Sequence, residues 1–155
     1  MNVEDLMTKP AATIHTRDVL SLAAENMWNH DCGVLPVVDD AGKLVGVITD
    51  RDICIAAWSR GRLLTAIRVE EAMSTDVVSM TRGQDLALAE LLMAERQVRR
   101  IPIVDADHRP VGILSINDIA REAARTDSRL QTGLSSAIHT LAAICRPHRQ
   151  WWKAA

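Results

Sequence analysis

Leu44-Val45-Gly46-Val47-Ile48-Thr49-Asp50-Arg51-Asp52 is answered 66 residues later by Pro110-Val111-Gly112-Ile113-Leu114-Ser115-Ile116-Asn117-Asp118. Each stretch is a short apolar run through a glycine, ending on a hydroxyl with a carboxylate three residues beyond. Sliding the whole chain by the same interval aligns Val3–Ala57 with Val69–Ala123 without a gap, and fifteen positions are identical. They include Met7/Met73, Leu20/Leu86, Met27/Met93, Pro36/Pro102, Asp39/Asp105, Gly46/Gly112 and Asp52/Asp118. A repeat of this size marks a supersecondary unit that buries its apolar face against its own copy. Gly61 to Ala66 joins the two.

Each copy has the same local signals. A short helix (Val3–Met7, Val69–Met73) precedes an extended piece ending near Ile14 and Met80. Leu20, Ala23 and Met27 fall at helical spacing, as do Leu86, Ala89 and Met93 within Asp85–Glu95. Thr81 with Gln84 three residues on has the form of a capping box opening that second helix. Val34–Val38 and Leu44–Ile48 are strands separated by the turn residues Asp39-Asp40-Ala41-Gly42. Ile101–Val104 and Val111–Leu114 repeat them, and closing helices start near Asp50 and Ile116. The order strand, helix, strand, strand, helix, twice, predicts an α/β (α+β) chain with two small sheets facing each other.

The Gly-x-x-Thr/Ser-x-x-Asp turns have two readings. Glycine permits close backbone approach, and a helix N-terminus favours anions. A carboxylate held there can accept two hydrogen bonds from a vicinal diol such as a ribose. Equally, Thr49 and Ser115 serve as helix N-caps, with the Asp complementing the helix dipole.

The 155 residues carry 18 Lys plus Arg against 20 Asp plus Glu, a net charge of −2, with 48% apolar residues. This balance argues against disorder. No apolar run approaches the roughly 18 residues of a membrane span, and no signal peptide opens the chain, so a cytoplasmic location is expected, with no membrane partner. Without Phe, Tyr or a basic stripe, nucleic acid is not expected as a partner either. Cys32, Cys54 and Cys145 have no metal-type spacing and are read as buried small hydrophobes. The five histidines form no triad, no metal cluster is apparent, and Met7, Met27, Met73 and Met93 occupy core positions. No nucleophile–base pair or phosphate loop appears, so no enzyme activity is expected.

These duplicated turns, the strands Leu35-Pro36-Val37-Val38-Asp39 and Ile101-Pro102-Ile103-Val104-Asp105, and the opening Val-Glu-x-x-Met resemble a tandem pair of CBS domains, a Bateman module. The resemblance covers Val3 to about Arg125. It implies two tandem β-α-β-β-α units packed sheet to sheet with pseudo-two-fold symmetry, at 1–62 and 63–125. A C-terminal amphipathic helix and tail then occupy 126–155.

Such modules bind adenosine ligands (AMP, ADP or ATP among them) between the copies, as regulatory ligands and with no required cofactor. By resemblance, Asp118 and Ser115 hold ribose in one cleft, Arg99 and Arg100 meet phosphate, and Ala12, Val34 and Leu35 flank the base. The second cleft uses Thr49 and Asp52, with Val78, Arg100 and Ile101 near the base. Where the second copy has Arg99-Arg100 the first has Gly33-Val34, which Arg51 partly replaces. A guanidinium fork suits phosphate oxygens, so the Asp118 cleft is expected to be the stronger.

The expected function is therefore a non-catalytic adenosine-nucleotide sensor. It signals through ligand-dependent packing, forms a homodimer and acts on an effector protein. The alternative is a structural or partner-binding dimerisation module with empty clefts. Its working surface is then the C-terminal helix, whose stripe is Leu130, Leu134, Ile138, Leu141 and Cys145.

Overall fold

The structure, a computed structural model, describes residues 1–126. The predicted C-terminal helix and tail, with the stripe from Leu130 to Cys145, lie outside those residues. The first half contains β1 (Ile14–His15), α1 (Leu20–Asn29), β2 (Val34–Val38), β3 (Leu44–Thr49) and α2 (Asp50–Arg60). The second contains β4 (Met80–Thr81), α3 (Leu86–Arg96), β5 (Arg100–Val104), β6 (Pro110–Ser115) and α4 (Ile116–Thr126). This is the α+β order read from the repeat. Among the described residues, no helix is long and apolar enough to cross a membrane.

Two three-stranded sheets form, in the orders β1-β2-β3 and β4-β5-β6. The middle strand is parallel to the first and antiparallel to the third in each. β2 is buried from Val34 through Val37, so it reads as an unbroken apolar run, whereas β3 alternates buried and half-buried residues. Pro36 and Pro102 are tolerated in these middle strands because β1 and β4 pair only with the two residues following each proline.

The strand turns are built alike. Asp39 Oδ1 accepts from the Ala41 and Lys43 N–H groups at 2.9 Å each, and Asp105 Oδ1 from Asp107 at 3.0 Å and Arg109 at 2.8 Å. Gly42 and its counterpart His108 both adopt positive φ, 76° and 65°. The Leu44 N–H donates to the His108 carbonyl at 2.9 Å and joins the two turns.

Two of the local expectations change. The opening segments are three-residue 3-10 turns, Val3–Asp5 and Val69–Glu71, not full helical turns. Thr81 is not the N-cap of α3. Its N–H donates to Gln84 Oε1 at 2.8 Å within a turn, and Asp85 caps the helix by accepting from the Ala87 N–H.

The openings decide how the halves join. Val3 and Met7 pack in the second core with Met80, Ala89, Met93, Ile101, Ile103 and Leu114. Val3 N–H donates to Gln84 O at 3.0 Å, and Thr8 exchanges backbone bonds with Ile113 at the outer edge of β6. The counterparts of Val3 and Met7, Val69 and Met73, pack on the first core with Ile67, Leu20, Leu35, Val37 and Ile48, and Ser74 is paired to Val47. The chain's first eight residues therefore complete the half that begins some seventy residues later. At this join Glu71 is held below the usual carboxylate range, first by the Arg68 backbone N–H and then by the Arg62 and Arg60 guanidiniums.

Gly46 and Gly112 are the close-approach points. A β-carbon on Gly46 would lie 2.8 Å from Met73 Sδ and 2.9 Å from the Ser74 carbonyl oxygen. One on Gly112 would lie 2.9 Å from Met7 Cγ and 3.0 Å from the Thr8 carbonyl oxygen. The motif glycines thus seat the opening segments on the sheets, and Met7 at 7% exposure is core, as its spacing predicted.

Candidate functional site

Both motif turns are reciprocal caps. Thr49 donates its N–H and Oγ1–H to Asp52 Oδ2 at 2.9 and 2.7 Å, and the Asp52 N–H donates back to Thr49 Oγ1 at 3.2 Å. Ser115 donates its N–H and Oγ–H to Asp118 Oδ2 at 2.8 and 2.6 Å, with a 3.3 Å return bond. The sequence forces this: a hydroxyl leaving a strand, with a carboxylate three residues on, satisfies two groups at a helix start. Capping occupies only Oδ2 of each carboxylate, so the helix-cap and diol readings are compatible.

The two carboxylates differ at the other oxygen. Asp118 is 5% exposed, and the Arg121 guanidinium bonds its Oδ1. Asp52 is half-buried, and among the described residues no group bonds its Oδ1. Arg121 was not among the residues singled out above. The three-residue spacing of Asp118 and Arg121 is the helical ion-pair signal that would have found it.

Cross-strand register aligns Val34 with Thr49 and Arg100 with Ser115. Directly opposed side chains share a sheet face, so Arg100 and Ser115 lie on the same face of their sheet. Val34, Leu35 and Ile101 are buried. Ala12 and Val78 are half-buried against the first and second cores respectively. Arg51 and Arg99 are exposed, and the Arg99 carbonyl accepts from the Ile116 N–H at 2.9 Å.

Arg100 also reaches the opposite half, where its Nη2 lies 3.6 Å from where a Gly33 β-carbon would be. There it borders a cavity of about 570 Å³ that includes Met27, Trp28, Cys32, Asp50 and Cys54 in its wall. Neither motif carboxylate lines this cavity. Periodicity could not find it, because it needs the second half's arginine beside the first half's helices. Among the described residues, no group of three or more His, Cys, Asp or Glu could hold a metal ion.

The cysteine expectation needs correction. Cys32 is half-buried and Cys54 is exposed, and both are free thiols. Cys54 lines the cavity on α2 beside Ile53, but unlike Ile53 and Ala56 it is not buried in the core. Burial pushes the Cys32 thiol up, partly offset by the Val34 backbone N–H and the Arg100 charge. In variants retaining a single cysteine, Cys54 is expected to react with a disulfide reagent at neutral pH several-fold faster than Cys32, given the latter's smaller thiolate fraction. The Cys32 rate should climb as pH rises. Equal rates in a thiol-release assay would contradict this burial.

This duplicated α+β unit, with a capped carboxylate after each third strand, is the architecture of paired CBS domains. The CBS domain model matches residues 3–59 and 69–125, and the chain belongs to that family. It is 40% identical over 119 residues to the CBS domain-containing protein YhcV of Bacillus subtilis, covering 77% of this chain and 83% of that one. The solved CBS domain pair of protein MJ0100, in complex with 5'-methylthioadenosine and S-adenosyl-L-methionine, superposes with a TM-score of 0.74 at 30% identity. That match covers 82% of this chain and 98% of the other. CBSX2 in complex with AMP gives a TM-score of 0.69 at 27% identity, over 81% and 97% of the respective chains.

Proposed function

We propose that this protein is a non-catalytic regulatory module that binds an adenosine nucleotide of the AMP, ADP or ATP type in clefts between its two halves. The observation carrying this reading is the pair of helix-start carboxylates, each held through one oxygen by its own motif hydroxyl. A ribose diol donates two hydrogen bonds, and a carboxylate fixed through one oxygen in this way is already oriented to accept them. The adenosine ligands of the MJ0100 and CBSX2 pairs support the choice of ligand class. In this reading Asp52 with Thr49, and Asp118 with Ser115, hold ribose. Arg100 and Arg99, with Arg51 in the first half, meet phosphate, and Ala12, Val34, Leu35, Val78 and Ile101 border the base.

The ligand signals by binding two arrangements of the halves unequally. Each half is completed by the other copy's opening segment, so a shift of one sheet is felt at the Met7 and Met73 contacts.

Titration calorimetry of the purified chain against AMP, ADP, ATP and GMP tests the proposal. Saturable adenosine-specific binding below millimolar concentration is expected, and no heat with any of them sinks it.

A second reading has its own observation. Trp58 is 84% and Trp28 54% exposed, and Leu22, Ile55, Leu88 and Leu91 on α1, α2 and α3 are exposed as well. Large exposed apolar groups of this kind suit an interface, here between two copies in a homodimer. Sedimentation of wild type against Trp58→Glu at equal concentration distinguishes dimer from monomer.

A further inference from the structure

The two clefts carry the same motif but unequal acceptors. In the second half both oxygens of the Asp118 carboxylate are engaged, Oδ2 by both Ser115 donors and Oδ1 by the Arg121 guanidinium. In the first half, position 55 stands where Arg121 stands in the second, and it is Ile55. Ile55 is 47% exposed and has no hydrogen to donate to a carboxylate. Asp52 therefore keeps Oδ1 for an incoming group, while Asp118 has already spent its own.

We infer that Arg121 is an internal competitor for the ribose-binding carboxylate. The Asp118 cleft accepts a nucleoside only after this guanidinium releases Oδ1, so the Asp52 cleft fills first. This rests on the nucleotide reading above and reverses the order that Arg99 and Arg100 alone suggest. Breaking an ion pair to a 5% exposed carboxylate costs more than breaking a fully solvated one, because the charge left behind is buried. A neutral diol must displace it without supplying a charge in return. Arg100 adds to the asymmetry, since its guanidinium reaches Gly33 at the start of the first half's β2.

The test is calorimetry with AMP on wild type, Asp52→Ala, and the double variant Asp52→Ala/Arg121→Ile, which installs the first half's residue. Arg121→Gln in the same background guards against misfolding, and circular dichroism confirms the fold of each. Asp52→Ala retains only the latched cleft and should bind weakly. The double variants should bind about tenfold tighter than Asp52→Ala, equivalent to about 1.4 kcal/mol. Tightening on loss of an arginine separates competition from structural support, because removing a purely structural ion pair weakens binding or leaves it unchanged. Equal or weaker affinity in the double variants overturns the inference while leaving the nucleotide reading intact. Absence of AMP binding in all of the proteins, wild type included, overturns both.

Discussion

Gly112→Val is expected to destabilise the fold by about 3 kcal/mol, near the upper range for overpacking a filled interior. Its side chain would have to enter space held by Met7 and by the Thr8 carbonyl, 3.0 Å from the first added carbon. A thioether can turn aside. The carbonyl cannot, because it is pinned by the Ile113 N–H at 3.0 Å, so the opening segment must lift off β6 and expose Val3 and Met80. Gly46→Val should behave alike through Ser74. Gly83→Ala is the control, since a β-carbon there meets nothing within 4 Å, and it should stay within about 0.5 kcal/mol of wild type. Urea midpoints at unchanged slope provide the comparison. A Gly112→Val midpoint equal to wild type would mean that the first eight residues do not sit on the second sheet.

Asp52→Ala is expected to weaken AMP binding at the first-filled cleft about 100-fold, the loss of two charge-assisted hydrogen bonds from a diol. The same substitution removes a capping box, so unfolding stability should also fall, by about 1 kcal/mol. Thr49→Ala separates the two effects. It removes the hydroxyl that donates to Asp52 at 2.7 Å but keeps the carboxylate, so stability should drop as much while affinity falls less than in Asp52→Ala, by the loss of Thr49's own contact with the ribose. If calorimetry finds Asp52→Ala and Thr49→Ala binding AMP equally well, Asp52 is a helix cap and nothing more.

Much of this architecture is legible in the chain because the determining interactions are local. Helical spacing in Leu86, Ala89 and Met93, the apolar run Leu44–Ile48 and the turn chemistry of Asp39 and Asp105 each involve neighbours within a few residues. The carboxylate turns belong to the same class, since Thr49 meets Asp52 across three residues whatever the rest of the fold does. Duplication then makes the pattern visible twice, and the family match follows from it. Local reasoning failed at Thr81, where the capping-box spacing is present but the chain is still in a turn. It failed again at Cys54, whose burial depends on which side of α2 meets the core.

The sequence by itself determined the repeat, the order of strands and helices, and the pairing of each motif hydroxyl with its carboxylate. Only the tertiary structure decided which sheet each opening segment completes. Val3 and Val69 have identical local signals, and the choice turns on backbone bonds to Ile113 and Val47. It also decided that Arg100 crosses toward Gly33 and that Asp118 is buried while Asp52 is half-buried. The motifs are nearly the same, and the residues that differ beside them, Arg121 against Ile55, are written in the chain, but burial and contacts across the halves are set by packing and are not repeated with the motif.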